Sequence, residues 1–279
     1  PIDEMVDQGL VVIVQRAVQE AKDAKAIIFE VDTFGGLVDS AVEIADTILT
    51  APCPTIAYVR GRGAISAGAL ITMACNHIVM APGTNIGAAE PVYGTPQGAL
   101  PTGEKEVSFL RSKMAALAEV NGHNPAIAQA MVDKDIELYA ARSADGVVQV
   151  WSTTSGNAAA PNSMNALGAA AQETIESLER KTGVPMEPLK EVVRDLTQQA
   201  TAGTPIGEPE RTPQQPFIGT DPVLISARGK LLTLTAQEAQ TYGLIRSICS
   251  SLEQVTGLFG LEHARKVYIE MTLGERVFR

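Results

Sequence analysis

The sequence predicts an α/β fold built on a mostly parallel sheet. Two patterns carry that reading. Short apolar runs alternate with stretches of helical periodicity, as βαβ units require. Glycine-rich turns then join strand to helix at Gly35–Gly36 and at Gly61–Gly63. The composition allows a core to form, with 45% hydrophobic and 19% charged residues across 279 positions.

Residues 17–24 (AVQEAKDA) read as helix, and Ala26–Val31 (AIIFEV) as a buried strand. After the Gly35–Gly36 turn, Leu37, Val38, Ala41, Ile44, Ala45 and Ile48 fall on one helical face, and Pro52 and Pro54 stop that helix. The order then returns. Thr55–Val59 is a strand, Gly61–Gly63 a turn, Ser66–Cys75 a buried helix of small residues, and His77–Met80 another strand. Residues 82–103, rich in Gly, Pro and Thr, predict an irregular loop, and Glu104–Asn121 an amphipathic helix.

From about Ala140 the character changes. Residues 141–200 hold Ala-rich and Glu/Lys-rich helical patterns, and 201–222 the Pro, Gly, Thr and Gln of a linker. Strand, turn and helix chemistry resumes after Pro222, where Thr235 and Glu238 form a capping box and Gly243 ends the helix. The domain division is therefore 1–140 with 223–279, split by an insertion at 141–222. No internal repeat is visible.

A net charge of −10, with no run of Lys and Arg, argues against a nucleic-acid binder. Cys53, Cys75 and Cys249 are odd in number and lack CxxC spacing, so they support neither a disulfide framework nor a zinc site. They read as small buried hydrophobes, with a single disulfide left open. No stretch reaches the roughly 18 to 20 apolar residues that span a bilayer. The chain opens at Pro1 without Met or signal-peptide pattern, so it is expected to be an excised or processed fragment.

The segment Gly61–Ala69 (GRGAISAGA) is where chemistry concentrates. Ser66 stands between a strand and a helix of small residues, so its hydroxyl is presented at the strand's carboxyl end. Helix N-terminal amides point at the same spot and favour developing negative charge. Ser66 also reads as an ordinary N-cap. Asp32-Thr33-Phe34-Gly35-Gly36 can expose an amide which, with the one after Ser66, would build an oxyanion hole; a plain tight turn explains the glycines equally well.

A nucleophilic serine needs a base. His77 lies at the far end of the helix that Ser66 begins, His123 in a helix-ending turn, and His263 near the chain end. All three read as structural or exposed. Lys105 sits in the first turn of its helix, with Thr102 as expected N-cap, where the helix dipole disfavours a cation and eases proton release. Lys113 reads as a solvated face residue. On these residues alone, the surface-lysine reading of Lys105 prevails.

In one order stand the DTFGG turn, the GRGAISAGAL segment, the APGTNIGAAEPV loop and a helix ending in GHN. That order resembles the NfeD-type membrane-bound serine proteases of the ClpP/crotonase-like superfamily, closely over 26–138 and more loosely over about 223–261. The resemblance implies a ClpP/crotonase-like fold of repeated β-β-α units and a Ser-Lys dyad without catalytic histidine. By motif position Ser66 is the nucleophile and Lys105 the base. The Gly36 and Ala67 amides form the oxyanion hole, and Gly35 and Gly68 support the loop. It further implies hydrophobic, membrane-linked polypeptide substrates, a stomatin-like partner, a homo-oligomer (dimer or larger), and no metal or organic cofactor. Membrane helices would follow a soluble, extracytoplasmic protease domain.

Two departures stand out. Phe34 occupies a position where the family usually has Pro, which alters the substrate groove. The 141–222 insertion is longer than in compact relatives and reads as a lid or assembly arm. Two rival readings are a crotonase-type acyl-CoA enzyme, for which Glu90 is the nominated carboxylate, and a non-catalytic membrane-complex scaffold.

Overall fold

The computed structural model describes residues 1–95, 98–143, 146–153 and 221–269. One compact unit comprises 1–152 and 218–279; a second comprises 153–217 and, Thr153 apart, lies outside the described residues.

The chain opens with β1 (Ile2–Val6), α1 (Gln8–Glu20), β2 (Ile27–Gly36), α2 (Val38–Leu49), β3 (Thr55–Ile65), α3 (Ala67–Met73) and β4 (His77–Met80). Then come β5 (Asn85–Gly87), the hairpin strands β6 (Val92–Thr95) and β7 (Gly98–Pro101), α4 (Glu104–Asn121) and α5 (Pro125–Ala130). The remainder is β8 (Glu137–Arg142), β9 (Val148–Thr153), β10 (Val223–Ser226), β11 (Thr233–Thr235), α6 (Ala236–Thr241), β12 (Ser247–Ile248) and α7 (Leu252–Leu258).

The main sheet runs β1-β2-β3-β4-β12, all neighbours parallel, with β5 continuing parallel beside the end of β3 and β11 antiparallel to β5. This is the α/β fold on a mostly parallel sheet that the sequence predicts. A second sheet has the order β10-β8-β9.

Helical stripes account for the layers. Asp7 caps α1 by accepting from Leu10 N (2.9 Å), and Leu10, Val11, Ile13, Val14 and Val18 are buried. On α2 the buried set is Ser40, Ala41, Ile44, Ala45 and Ile48. Each fully buried Ile contributes about 1.5–3 kcal/mol by leaving water. Every residue of α3 is buried, which explains its lack of charge.

Several expectations are corrected. The first helix is Gln8–Glu20 rather than 17–24, because the Asp7 cap starts it earlier. The glycines of the two expected turns lie inside strands: β2 continues through Gly36 and β3 through Gly63. Register shifts between Val31 and Thr33, and between Asp3 and Met5, absorb them as irregularities in the ladder. The expected loop at 82–103 holds β5 and the β6–β7 hairpin. Residues at the start of 141–222 pair as strands β8 and β9; the helical patterns read over 154–200 and the linker up to 220 lie outside the described residues. The capping box is present, with Thr235 Oγ1 accepting from Glu238 N (3.3 Å) and Glu238 Oε2 from Thr235 N (2.8 Å).

Candidate active site

Ser66 joins β3 to α3 with φ 55° and ψ −118°, a conformation that costs a non-glycine residue about 1–3 kcal/mol. Its amide donates to Gly87 O (2.9 Å), and its carbonyl accepts from Ala69 N (2.9 Å). The side chain makes no capping hydrogen bond. That overturns the ordinary N-cap reading: the hydroxyl is half-buried at a sharp strand-to-helix turn and does not serve the helix.

The other predicted residues of this corner gather around it. A Cβ on Gly35, whose φ is +119°, would stand 2.7 Å from Ser66 Cβ, 3.0 Å from Oγ and 3.4 Å from Ala67 N. Only glycine fits. A Cβ on Gly36 would collide with Val6 O at 2.1 Å, and one on Gly68 would meet Thr33 Cγ2 at 2.7 Å. Of the amides in the turn, Gly35 N donates to Thr33 Oγ1 (3.0 Å) and Leu37 N to Val6 O (2.8 Å).

Thr33 is a residue that reading the sequence missed. It is fully buried, and its hydroxyl also donates to Glu4 O. A threonine two residues before a glycine amide is the signal for such a side-chain turn, and it was present in DTFGG.

A charged brace closes the outer side. Asp32 Oδ1 accepts from Arg62 N and Arg62 Nε, both at 2.9 Å, while Arg62 Nη2 donates to Asp32 O (3.0 Å). Partial burial pushes the Asp32 carboxyl up. The Arg62 hydrogen bonds and the Arg62 and Arg60 charges outweigh it and hold the group below its ordinary value. The Arg62 guanidinium lies 5.3 Å from the Phe34 ring centroid. Phe34 stays 64% exposed, with Met5 at 58% and Leu37 at 52%, so apolar surface flanks Gly35–Gly36.

Lys105 lies on the first turn of α4, exposed, between Glu104 and Glu106. Its helix is capped by Gly103 rather than Thr102, because the Thr102 hydroxyl is turned to Pro91 O (3.2 Å). No hydrogen bond joins Lys105 to Ser66 among the described residues. The helix is anchored further along: Arg111 pairs with buried Asp133 and with Glu104 (3.2 Å), and Asn121 Nδ2 donates to Met73 O (3.2 Å). Lys113 is not the solvated residue expected; it is half-buried and paired with Asp46 of α2.

His123 Nε2 donates to Cys75 O (2.8 Å), and burial holds its ring below the ordinary value although that bond pulls the other way. His77 meets the Phe259 ring at a tilt, centroids 5.1 Å apart, and its pKa is lowered by burial and then by the Arg246 and His123 charges. Glu90 is paired with Lys134 at 3.3 Å.

The profile of the NfeD1b N-terminal domain matches residues 1–181. The chain belongs to the NfeD1b N-terminal domain family. Two curated relatives of this NfeD1b-family domain are the membrane protein NfeD1b of Bacillus subtilis (strain 168), 42% identical over 139 residues, and the membrane-bound protease PH1510 of Pyrococcus horikoshii, 36% identical over 125. The matches take in 49% and 43% of this chain, and only 31% and 28% of those proteins.

Two similar solved structures are mutants of the 1510-N membrane-bound stomatin-specific protease. One replaces a serine by alanine (TM-score 0.55, 19% identity, 98% of this chain and 91% of that one). The other replaces a lysine by alanine and holds a substrate peptide (TM-score 0.58, 19% identity, 99% and 93%). At that identity they establish the shared fold. Among the described residues no helix is long and apolar enough to cross a membrane.

Proposed function

We propose that this NfeD1b-family domain is a serine endopeptidase with Ser66 as nucleophile and Lys105 as general base. The observation that carries the reading is Ser66 itself. A serine held at positive φ, relieved of any capping duty and faced by a glycine that leaves room for nothing else, has a hydroxyl kept for another task.

In this mechanism neutral Lys105 takes the Ser66 proton as Oγ attacks a peptide carbonyl. The Gly36 and Ala67 amides receive the oxyanion, and such donors are worth about 3–4 kcal/mol in the transition state. The ammonium of Lys105 then protonates the departing amine, leaving an ester on Ser66. Water hydrolyses that ester by the reverse proton path. The exposed first turn of α4 must bring Lys105 within hydrogen-bond reach of Oγ in the substrate complex, a tightening common between free and bound enzymes.

The relative named a membrane-bound protease supports peptide hydrolysis, and the neighbours named stomatin-specific proteases support a stomatin-like polypeptide as substrate and partner. We assign the peptidase unit to 1–140 with 223–279, extended by the residues of β8 and β9, take the rest of 141–222 as its insertion, and expect a membrane-anchored, extracytoplasmic homo-oligomer in the whole protein. The acyl-CoA alternative gains nothing from Glu90, which Lys134 engages.

The test is hydrolysis of an unstructured protein and of hydrophobic peptides by wild type, Ser66→Ala, Lys105→Ala and Lys113→Ala. Cleavage should drop on the order of 10⁴-fold in the first two variants and persist in the third. Activity retained by Lys105→Ala and lost by Lys113→Ala would move the base to Lys113. Cleavage surviving in Ser66→Ala would sink the serine reading.

A further inference from the structure

We propose that Thr33 is a positioning residue that sets the oxyanion-binding turn, an inference that rests on the peptidase reading above. Its side chain is polar and 0% exposed, yet it lies in a strand of the parallel sheet where an apolar residue would serve packing better. A hydroxyl has one proton to give and lone pairs to receive. Thr33 gives its proton to Glu4 O and receives the Gly35 amide at 3.0 Å.

Each partner is itself unusual. Glu4 is a non-glycine residue at φ 58°, sitting where the β1–β2 register slips between Asp3 and Met5. The edge strand thus departs from regular pairing at the residue whose carbonyl meets Thr33. Gly35, at φ +119°, is the residue whose missing Cβ makes room for Ser66. The Thr33 methyl fills the space beside Gly68, one residue beyond Ala67. A single buried side chain therefore ties β1, the Gly35 turn and the first turn of α3. The Gly36 amide, assigned to the oxyanion in the peptidase reading above, lies between the Gly35 amide, engaged by Thr33, and the Leu37 amide, engaged by Val6 O.

The experiment compares Thr33→Ser, Thr33→Ala and Thr33→Val in the 279-residue chain. It measures kcat and KM on a peptide substrate, the melting temperature, and affinity for a peptide boronate, whose serine adduct carries an oxygen at the oxyanion position. We expect Thr33→Ala and Thr33→Val to lose about 10²-fold in kcat at unchanged KM, as a misplaced catalytic group does. Boronate affinity should fall in parallel, and Thr33→Ser should recover most of both. If Thr33→Val does not fold, the Ala–Ser pair reads the same difference. Equal kcat and boronate affinity in Thr33→Ala and Thr33→Ser would overturn the proposal. So would a kcat loss that tracks only the fall in melting temperature. A wild type that neither cleaves nor binds boronate would instead sink the peptidase reading, and the role of Thr33 with it.

Discussion

The corner around Ser66 and the first turn of α4 are held in opposite ways. At the corner, Gly35, Gly36 and Gly68 each stand where a Cβ would strike a neighbour within 2.7 Å, and Ser66 keeps a strained backbone. Lys105, by contrast, is exposed, and Gly103 makes no side-chain cap on its helix. Strain persists only where the surroundings over-determine it, whereas an exposed first turn is free to adjust. On the proposed mechanism, the nucleophile and its oxyanion donors are fixed before substrate arrives, while a base on a long side chain is brought in afterwards.

Breaking the two regions should therefore look different. Gly35→Ala adds a Cβ 2.7 Å from Ser66 Cβ in a positive-φ site. It should cost about 2–3 kcal/mol of stability and on the order of 10²-fold or more in kcat/KM. Lys105→Met should lose cleavage as fully, yet leave the denaturant midpoint within about 0.5 kcal/mol. Equal stability loss in both variants would remove the contrast.

Arg111→Ala sharpens the comparison, because it strips buried Asp133 of its charged partner and releases Glu104 beside Lys105. Solvent reaches the pair, so we expect about 2 kcal/mol, read by urea unfolding, together with a lower kcat. Ser66→Gly should move stability the other way, upward by about 1 kcal/mol, while abolishing cleavage, because glycine carries no penalty at φ 55°. A destabilised Ser66→Gly would deny that strain is stored at the corner.

The smallest effect concerns acid. Half-buried His123, and His77 with it, titrate below the ordinary 6.5 in the folded chain. An unfolded histidine takes a proton that the folded one refuses, so stability holds above pH 6.5 and falls as pH drops toward the folded values. His123→Gln should flatten that decline in melting temperature between pH 7 and 5. An unchanged slope would assign the acid sensitivity to other groups.

Some elements were legible because local chemistry alone decides them. The α4 boundaries, Glu104–Asn121, follow from an apolar stripe that Gly122 ends at φ 71°. The α2 stripe and the Thr235–Glu238 capping box are equally local. The β6–β7 hairpin was hidden under Gly and Pro that read as loop, since a strand without an apolar face shows itself only by its partner. Gly61 and Gly63 misled for the same reason: in isolation they signal a turn, and only pairing of Ala64 with Thr33 and Ile86 keeps them in β3.

The sequence by itself determined the α/β class and the family, and it nominated 61–69 as the segment to carry chemistry. Each of those rests on residue order and spacing along one stretch of chain. Tertiary structure alone decided that Ser66 is not a cap, that Lys113 belongs to Asp46, and that Thr33 joins the first strand to the glycine turn. The pairings of Thr33 with Glu4 and of Lys113 with Asp46 span 29 and 67 positions of chain, and such meetings are fixed by packing rather than by any local preference.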